Sequence, residues 1–129
     1  MKFILMMNAA TGDWDFFSWT PEERQAHMAF FRQLNQDLRN AGEFVACEAL
    51  APPAQARIVK AGKSGEPVVT DGPFAESKEF LAGYWIVDVE SAKHAYAIAA
   101  RASSAPGPGG KPHGIPIEVR EVMNPSPGQ

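Results

Sequence analysis

The chain has 129 residues, of which 45% are hydrophobic, and its formal net charge is −3. This length and composition favour one globular domain, and the lack of a basic excess argues against nucleic-acid binding. No segment reaches the roughly 20 apolar residues of a membrane helix, and the apolar start at residues 1–7 is too short for a signal peptide. Cys47 is the sole cysteine, so no internal disulfide can form, and we predict a cytoplasmic protein.

The first predicted elements are a strand and a long helix. Lys2–Met7 is a short apolar run that predicts a buried strand. Residues 8–19 form a loop whose aromatic side chains predict that it folds back over the domain. Thr20 then begins a helix, with Pro21 at the first helical position and Glu23 placed to complete a capping box.

One apolar stripe follows this start at three- and four-residue steps, the period of an amphipathic helix. Its members are His27, Phe30, Phe31, Leu34, Leu38 and Ala41. Gly42 supplies the left-handed residue that commonly ends such a helix.

The rest of the chain alternates between strands and turns around a second helix. The predicted strands are Glu43–Leu50, Gln55–Ala61, Val68–Thr70, Ala82–Val89 and Ile115–Met123. Turns are predicted at Lys60–Pro67 and at Asp71–Pro73. The second helix spans residues 91–102, and its predicted inner face consists of Ala92, Ala95, Tyr96 and Ala99. The Gly/Pro-rich residues 103–114 predict no regular structure.

This order of elements predicts a single α+β domain over residues 1–123, followed by a disordered tail at residues 124–129. The plan is ferredoxin-like, with an antiparallel sheet, two helices on one face and an inserted hairpin.

Both faces of the predicted sheet are apolar. In the first strand Phe3 and Leu5 point away from Ile4, and in a later strand Trp85 points away from Ile86. Two helices cover only one face, and the other would expose a larger apolar patch than monomers tolerate. The sequence therefore predicts a homodimer joined through the second face.

A long signature resembles a known family. The stretch Val69–Glu79 (VTDGPFAESKE), followed by Leu81–Tyr84 (LAGY), is similar to the signature of the DGPF-type, YCII-related proteins. Gly107–Lys111 and Ile115–Met123 resemble the C-terminal end of the same family. The resemblance implies a dimeric α+β barrel, in agreement with the two-faced sheet.

The same resemblance implies two kinds of activity. Some YCII-type relatives resemble enzymes that use a His–Asp pair in the barrel cavity on small aromatic molecules. Residues 24–34 are similar to the helix that holds their histidine, which corresponds to His27. Their aspartate lies in an Asp-Pro pair after the second helix, where this chain has residues 101–106 (RASSAP). DGPF-type members are also often encoded beside extracytoplasmic-function sigma factors, which implies a regulatory partner.

His27 and Asp71 are the candidate catalytic residues. An imidazole in the apolar stripe suits acid–base chemistry at neutral pH, but it is also typical of a core histidine with one satisfied hydrogen bond. Asp71 either only builds its turn or lies at the cavity mouth, where its carboxylate would orient His27 and raise its basicity. The candidate substrate-binding residues are Tyr84, Glu76, Lys78 and Arg120.

Other ionisable side chains are assigned structural roles. His94 lies opposite the alanine face of its helix and is predicted to be exposed, and His113 lies in the Gly/Pro loop. Cys47 is predicted to be a buried, inert thiol. No pair of His, Cys, Asp or Glu has the spacing of a metal site, so no bound metal is predicted.

The leading hypothesis is a protein with a small-molecule pocket between the sheet and the helices, lined by His27, Asp71, Tyr84 and the loop aromatics. An enzyme of this kind would be a lyase or isomerase with His27 as the base and no organic cofactor. The alternatives are a non-catalytic ligand-binding or sigma-factor-associated regulatory module, and an interaction scaffold whose pocket is filled with side chains.

Overall fold

The computed structural model describes residues 1–10, 16–72 and 79–123. Within these ranges the chain forms two α-helices and six β-strands. In chain order they are β1 (Lys2–Ala10), α1 (Pro21–Asn40), β2 (Phe44–Ala49), β3 (Arg57–Ala61), β4 (Pro67–Asp71), β5 (Glu79–Asp88), α2 (Ala92–Ser103) and β6 (Ile117–Glu121). Part of the predicted aromatic loop (residues 11–15) and the predictions for Pro73, Glu76, Lys78 and the tail fall outside the described residues.

Four strands form an antiparallel sheet in the order β2-β5-β1-β6, and β3 pairs with β4 in a separate two-stranded sheet. Leu5 at the centre of β1 lies opposite Trp85 on β5 and Val119 on β6. Helix α1 joins β1 to β2, and α2 joins β5 to β6. The predicted ferredoxin-like α+β fold is therefore confirmed, with β3 and β4 as the inserted hairpin.

One face of the sheet carries the core. Phe3 and Leu5 of β1 and Trp85 and Val87 of β5 are buried there. The two helices add Leu34, Leu38, Ala95, Ile98, Ala99 and Ala102. The side chains that alternate with the core residues on β1 and β5 project from the opposite face and are half-buried; they are Ile4, Met6, Tyr84 and Ile86.

Helix α1 begins as its sequence predicts. The Thr20 hydroxyl accepts a hydrogen bond from the Glu23 backbone N–H at 3.1 Å, and the Glu23 carboxylate accepts one from the Thr20 N–H at 2.9 Å. Pro21 occupies the first helical position, and Gly42 follows the helix with a φ of 73°. In the described parts of the chain, no helix is long and apolar enough to cross a membrane.

Two predictions about these elements are wrong in detail. Strand β1 continues past Met7 to Ala10, because a bulge between Met7 and Asn8 lets the strand keep pairing with β5. On α2, Tyr96 is 58% exposed, whereas Ile98 is buried. Steps of three and four residues from Ala95 lead to the buried positions, and a neighbouring residue lies about 100° further around the helix.

Candidate functional site

A cavity of about 670 Å³ lies against α1, β5 and the end of β2. Its walls are mostly apolar, and the aromatic members are Phe16, Phe17, Phe31, Phe80 and Trp85. Its polar members are His27, Arg32, Asn35, Cys47, Glu48 and Tyr84. Small-molecule sites in proteins combine apolar walls with a few polar groups and span roughly 300–1,000 Å³.

A smaller groove of about 360 Å³ adjoins this cavity and shares Leu50 and Phe80 with it. None of the described residues that line the groove carries an ionisable side chain. We therefore place the candidate site in the larger cavity.

Helix α1 supplies three of the six polar residues that line the cavity within the described chain. His27, Phe31 and Asn35 recur at four-residue steps, so their side chains lie above one another on one helix face. Met28 and Arg32 form a parallel row beside them. The residue spacing that gives α1 its buried face therefore also places side chains along the cavity wall.

His27 is the most buried polar side chain of the described residues, with 3% of its surface exposed. Its Nδ1 lies 2.9 Å from the Pro106 carbonyl oxygen. A carbonyl oxygen only accepts hydrogen bonds, so Nδ1 carries the proton in the neutral ring and Nε2 carries the lone pair.

Aromatic rings surround this imidazole. Phe31 and Trp19 meet it edge-to-face, with ring centroids 4.5 and 5.1 Å away. Phe16 lies at 5.7 Å and the His113 ring at 6.3 Å. Trp19 is buried, as the predicted folding back of its loop requires, whereas Phe17 is exposed.

Burial lowers the pKa of His27 below its ordinary value, since the charged ring loses its hydration. The hydrogen bond to Pro106 acts in the opposite direction, and the neighbouring His113 adds to the lowering. His27 is consequently neutral at pH 7 and presents a basic nitrogen.

The Gly/Pro loop after α2 holds this arrangement in place. The Gly109 N–H donates to the Glu23 carboxylate in the first turn of α1, and Pro106 bridges to Pro112. A Cβ atom at Gly107 would lie 2.8 Å from the His113 ring, so only glycine fits there. The loop contains a 3-10 turn at Pro108–Gly110, although its composition predicts no regular structure.

Asp71 does not join the site. It ends β4, its side chain is 94% exposed, and its Oδ1 lies 3.5 Å from Nε of Arg57. Because β3 and β4 pair with each other and not with the larger sheet, their register brings Asp71 to Arg57. Of the two roles considered for Asp71, the one at the cavity mouth beside His27 does not fit this placement, because Asp71 is exposed and is not among the described residues that line the cavity.

Tyr84 and Arg120 both project from the other face of the sheet. Tyr84 borders the cavity, but it alternates with the buried Trp85, so the strand pleat directs its phenol to the opposite side. Arg120 lies opposite Ile4 on that same side and is exposed. Neither side chain is brought to His27.

The pattern of the sequence did not single out the polar group formed by Asn35, Cys47 and Trp85. Trp85 Nε1 donates to Asn35 Oδ1 over 2.8 Å. Burial raises the pKa of the half-buried Cys47 thiol, while the nearby Asn35 amide lowers it. Cys47 is therefore protonated, in line with the predicted inert thiol, although it lines the cavity.

The remaining histidine lies at the surface. His94 is exposed, and its Nε2 lies 2.7 Å from Oε2 of Glu43. Within residues 1–10, 16–72 and 79–123, no three His, Cys, Asp or Glu side chains are grouped closely enough to hold a metal ion.

Comparisons with known proteins add two findings. A YCII-related domain matches residues 1–109, a range that includes His27 and Pro106. An uncharacterized protein from Rhizobium meliloti (strain 1021) is 30% identical over 112 residues, which cover 87% of this chain and 86% of that protein.

Proposed function

The chain belongs to the YCII-related family, and we propose that it binds a small, largely apolar organic molecule in the cavity beside His27. The observation that carries the proposal is a cavity of about 670 Å³ with aromatic walls and a buried, neutral imidazole. Apolar walls supply affinity by desolvation, and the few polar groups select the orientation of the ligand.

Ligand screening against a cavity-filling variant tests this proposal. A molecule that binds only the native state at a hundred times its Kd raises the free energy of unfolding by about 2.7 kcal/mol. We expect such a rise, read as a thermal shift, with some of a panel of small phenols and aromatic acids. Ala49→Trp places an indole in the cavity and should abolish the shift, whereas Ala100→Trp, on the exposed side of α2, should keep it. Equal shifts in the two variants would contradict the proposal.

A catalytic role for His27 is the second candidate, and the hydrogen bond to Pro106 favours it. This bond fixes the tautomer in which Nε2 is the basic nitrogen, which is the state that a general base requires. A neutral imidazole of this kind is suited to abstracting protons that are already acidic, such as those beside a carbonyl group. The proposed reaction is accordingly a lyase- or isomerase-type proton transfer without an organic cofactor.

Isotope exchange separates catalysis from binding. In D₂O, a bound ligand with an acidic C–H group should exchange that hydrogen in the wild type but not in His27→Gln. If His27→Gln still binds the ligand, the loss of hydrogen exchange is due to lost proton transfer and not to lost binding. Undiminished exchange in His27→Gln would remove His27 from the chemistry and leave the binding proposal intact.

The homodimer belongs to the same proposal. Both helices pack on one face of the sheet, and the half-buried apolar side chains Ile4, Met6 and Ile86 project from the other. Pairing two such faces would remove this apolar surface from water, which is the main driving force of association.

Association with an extracytoplasmic-function sigma factor stays a prediction of the family resemblance. Co-purification with a sigma factor encoded beside this chain would support it, and a clean negative result under the same conditions would count against it.

A further inference from the structure

The two formally charged side chains that border the cavity in the described chain do not face it equally. Among the described lining residues, Arg32 and Glu48 carry formal charges, and His27 is neutral. Glu48 pairs with Tyr84 and follows Cys47, which faces the cavity beside Trp85. The strand pleat therefore directs the Glu48 carboxylate to the opposite face of the sheet. Among the described lining residues, Arg32 is therefore the charged side chain on the cavity side.

Most other arginines of the described chain have internal partners. Arg24 donates to backbone carbonyls, Arg39 lies over the Phe44 ring, Arg57 pairs with Asp71, and Arg101 pairs with Asp37. Arg32 makes no ion pair or hydrogen bond within residues 1–10, 16–72 and 79–123. Arg120, on the opposite face of the sheet, also makes neither within these ranges. A guanidinium with five donors and no internal acceptor, set at the rim of an apolar cavity, matches a ligand that brings its own anion.

We propose that the ligand is an apolar carboxylate; this proposal rests on the proposed binding function. The hydrocarbon part of the ligand lies among Phe31, Phe80 and Trp85, and its carboxylate binds Arg32. Arg32 and Phe31 both line the cavity from α1, so one ligand can reach an anionic and an apolar contact. The planar guanidinium offers two parallel N–H donors that fit a carboxylate. Its exposed position lets the ligand head group stay partly hydrated, which reduces the desolvation cost of binding a charge.

Isothermal titration calorimetry with matched acid and amide pairs tests this assignment. The probes are 3-phenylpropanoate, cinnamate and 1-naphthoate, each compared with its primary amide, which keeps the shape and removes the charge. The wild type should bind at least one acid roughly tenfold more tightly than its amide, as expected for a hydrogen-bonded charge pair. The preference should shrink as salt rises from about 0.1 M to about 1 M, because the pair is exposed.

Variants locate the preference on the protein. Arg32→Gln should bind acid and amide equally, and it should fold normally because Arg32 is exposed and makes no hydrogen bond or ion pair with the described residues. Arg32→Lys should keep part of the preference. Lys93 is an exposed residue of α2 that does not line the cavity. Lys93→Gln removes one positive charge there and should leave the preference for acids unchanged.

The outcomes separate the two proposals. If acids and amides bind equally to the wild type, the carboxylate assignment is overturned and cavity binding stands. An acid preference that survives in Arg32→Gln overturns the role of Arg32. If no acid or amide binds, or if Ala49→Trp leaves binding unaltered, the cavity proposal fails together with this one.

Discussion

The stability of the fold should depend on pH through His27. The unfolded-state pKa of a histidine is about 6.5, and burial holds the folded-state pKa of His27 below that value. Between these two pKa values the unfolded chain binds more protons than the native chain, so the free energy of unfolding rises with pH. The contribution of neutral His27 is complete above the unfolded pKa and is lost as the pH falls towards the folded one.

The size of the effect follows from linkage. One histidine changes the free energy of unfolding by at most about 1.4 kcal/mol per pH unit, and therefore by up to about 2 kcal/mol between about pH 6.5 and pH 5. Burial also lowers the pKa of His113, so that residue acts in the same direction. Above about pH 5 most carboxylates stay ionised, which keeps this window specific to histidine.

Urea unfolding at several pH values between about 7.5 and 5 measures this slope, with His27→Gln as the test variant. Glutamine does not titrate, and it keeps a polar side chain with an N–H donor at this position. The variant should be less stable than the wild type at neutral pH but should have a shallower slope. Leu38→Ala, on the same helix, should lower stability at every pH while keeping the wild-type slope. A flat wild-type profile, or an unchanged slope in His27→Gln, would refute the reasoning.

Three further changes test the fold and the assembly. Thr20→Ala removes the helix cap and should cost about 1 kcal/mol in urea unfolding; no change would mean that the capping box does not stabilise α1. Leu34→Ala removes most of a core side chain that is 1% exposed. It should lower the free energy of unfolding by about 2–5 kcal/mol in the same assay, and a smaller decrease would indicate that the core collapses into the space left. Ile86→Glu should convert the proposed dimer to monomers in sedimentation, while Ala100→Glu on the outer side of α2 should not; a monomeric wild type would rule out the dimer.

Local patterns predicted the elements well where one physical cause dominates. Thr20, Pro21 and Glu23 satisfy the first free N–H groups of α1 without help from distant residues, and the structure confirms this helix start. His27 was correctly predicted to be buried because its spacing from Leu34 and Leu38 puts all three on one helix face. The inner face of α2 was less well predicted, since alanine-rich sequence gives little hydrophobic contrast between Tyr96 and Ile98.

The candidate site was harder to predict, because its parts are distant in the chain. Pro106 bonds His27 across 79 positions, and the Gly/Pro composition of its loop predicts flexibility instead of a contact. The Asp71 carboxylate could accept a hydrogen bond from a histidine, but the pairing of β3 with β4 places it beside Arg57. The signal for Asn35 was present in its spacing from His27, which repeats the four-residue step twice, but Arg32 lies off that row. Polar residues beside an apolar stripe are also usually solvated.

The sequence by itself determined the α+β plan, the position of α1, the burial of His27 and the membership of the YCII-related family, because each depends on short-range periodicity, capping or a continuous signature. Only the tertiary structure decided that the Pro106 carbonyl accepts a hydrogen bond from His27 Nδ1 and that Asp71, Tyr84 and Arg120 lie away from His27. Those outcomes depend on strand register, on the pleat and on loop closure, in which the position of one side chain is set by residues far away in the chain.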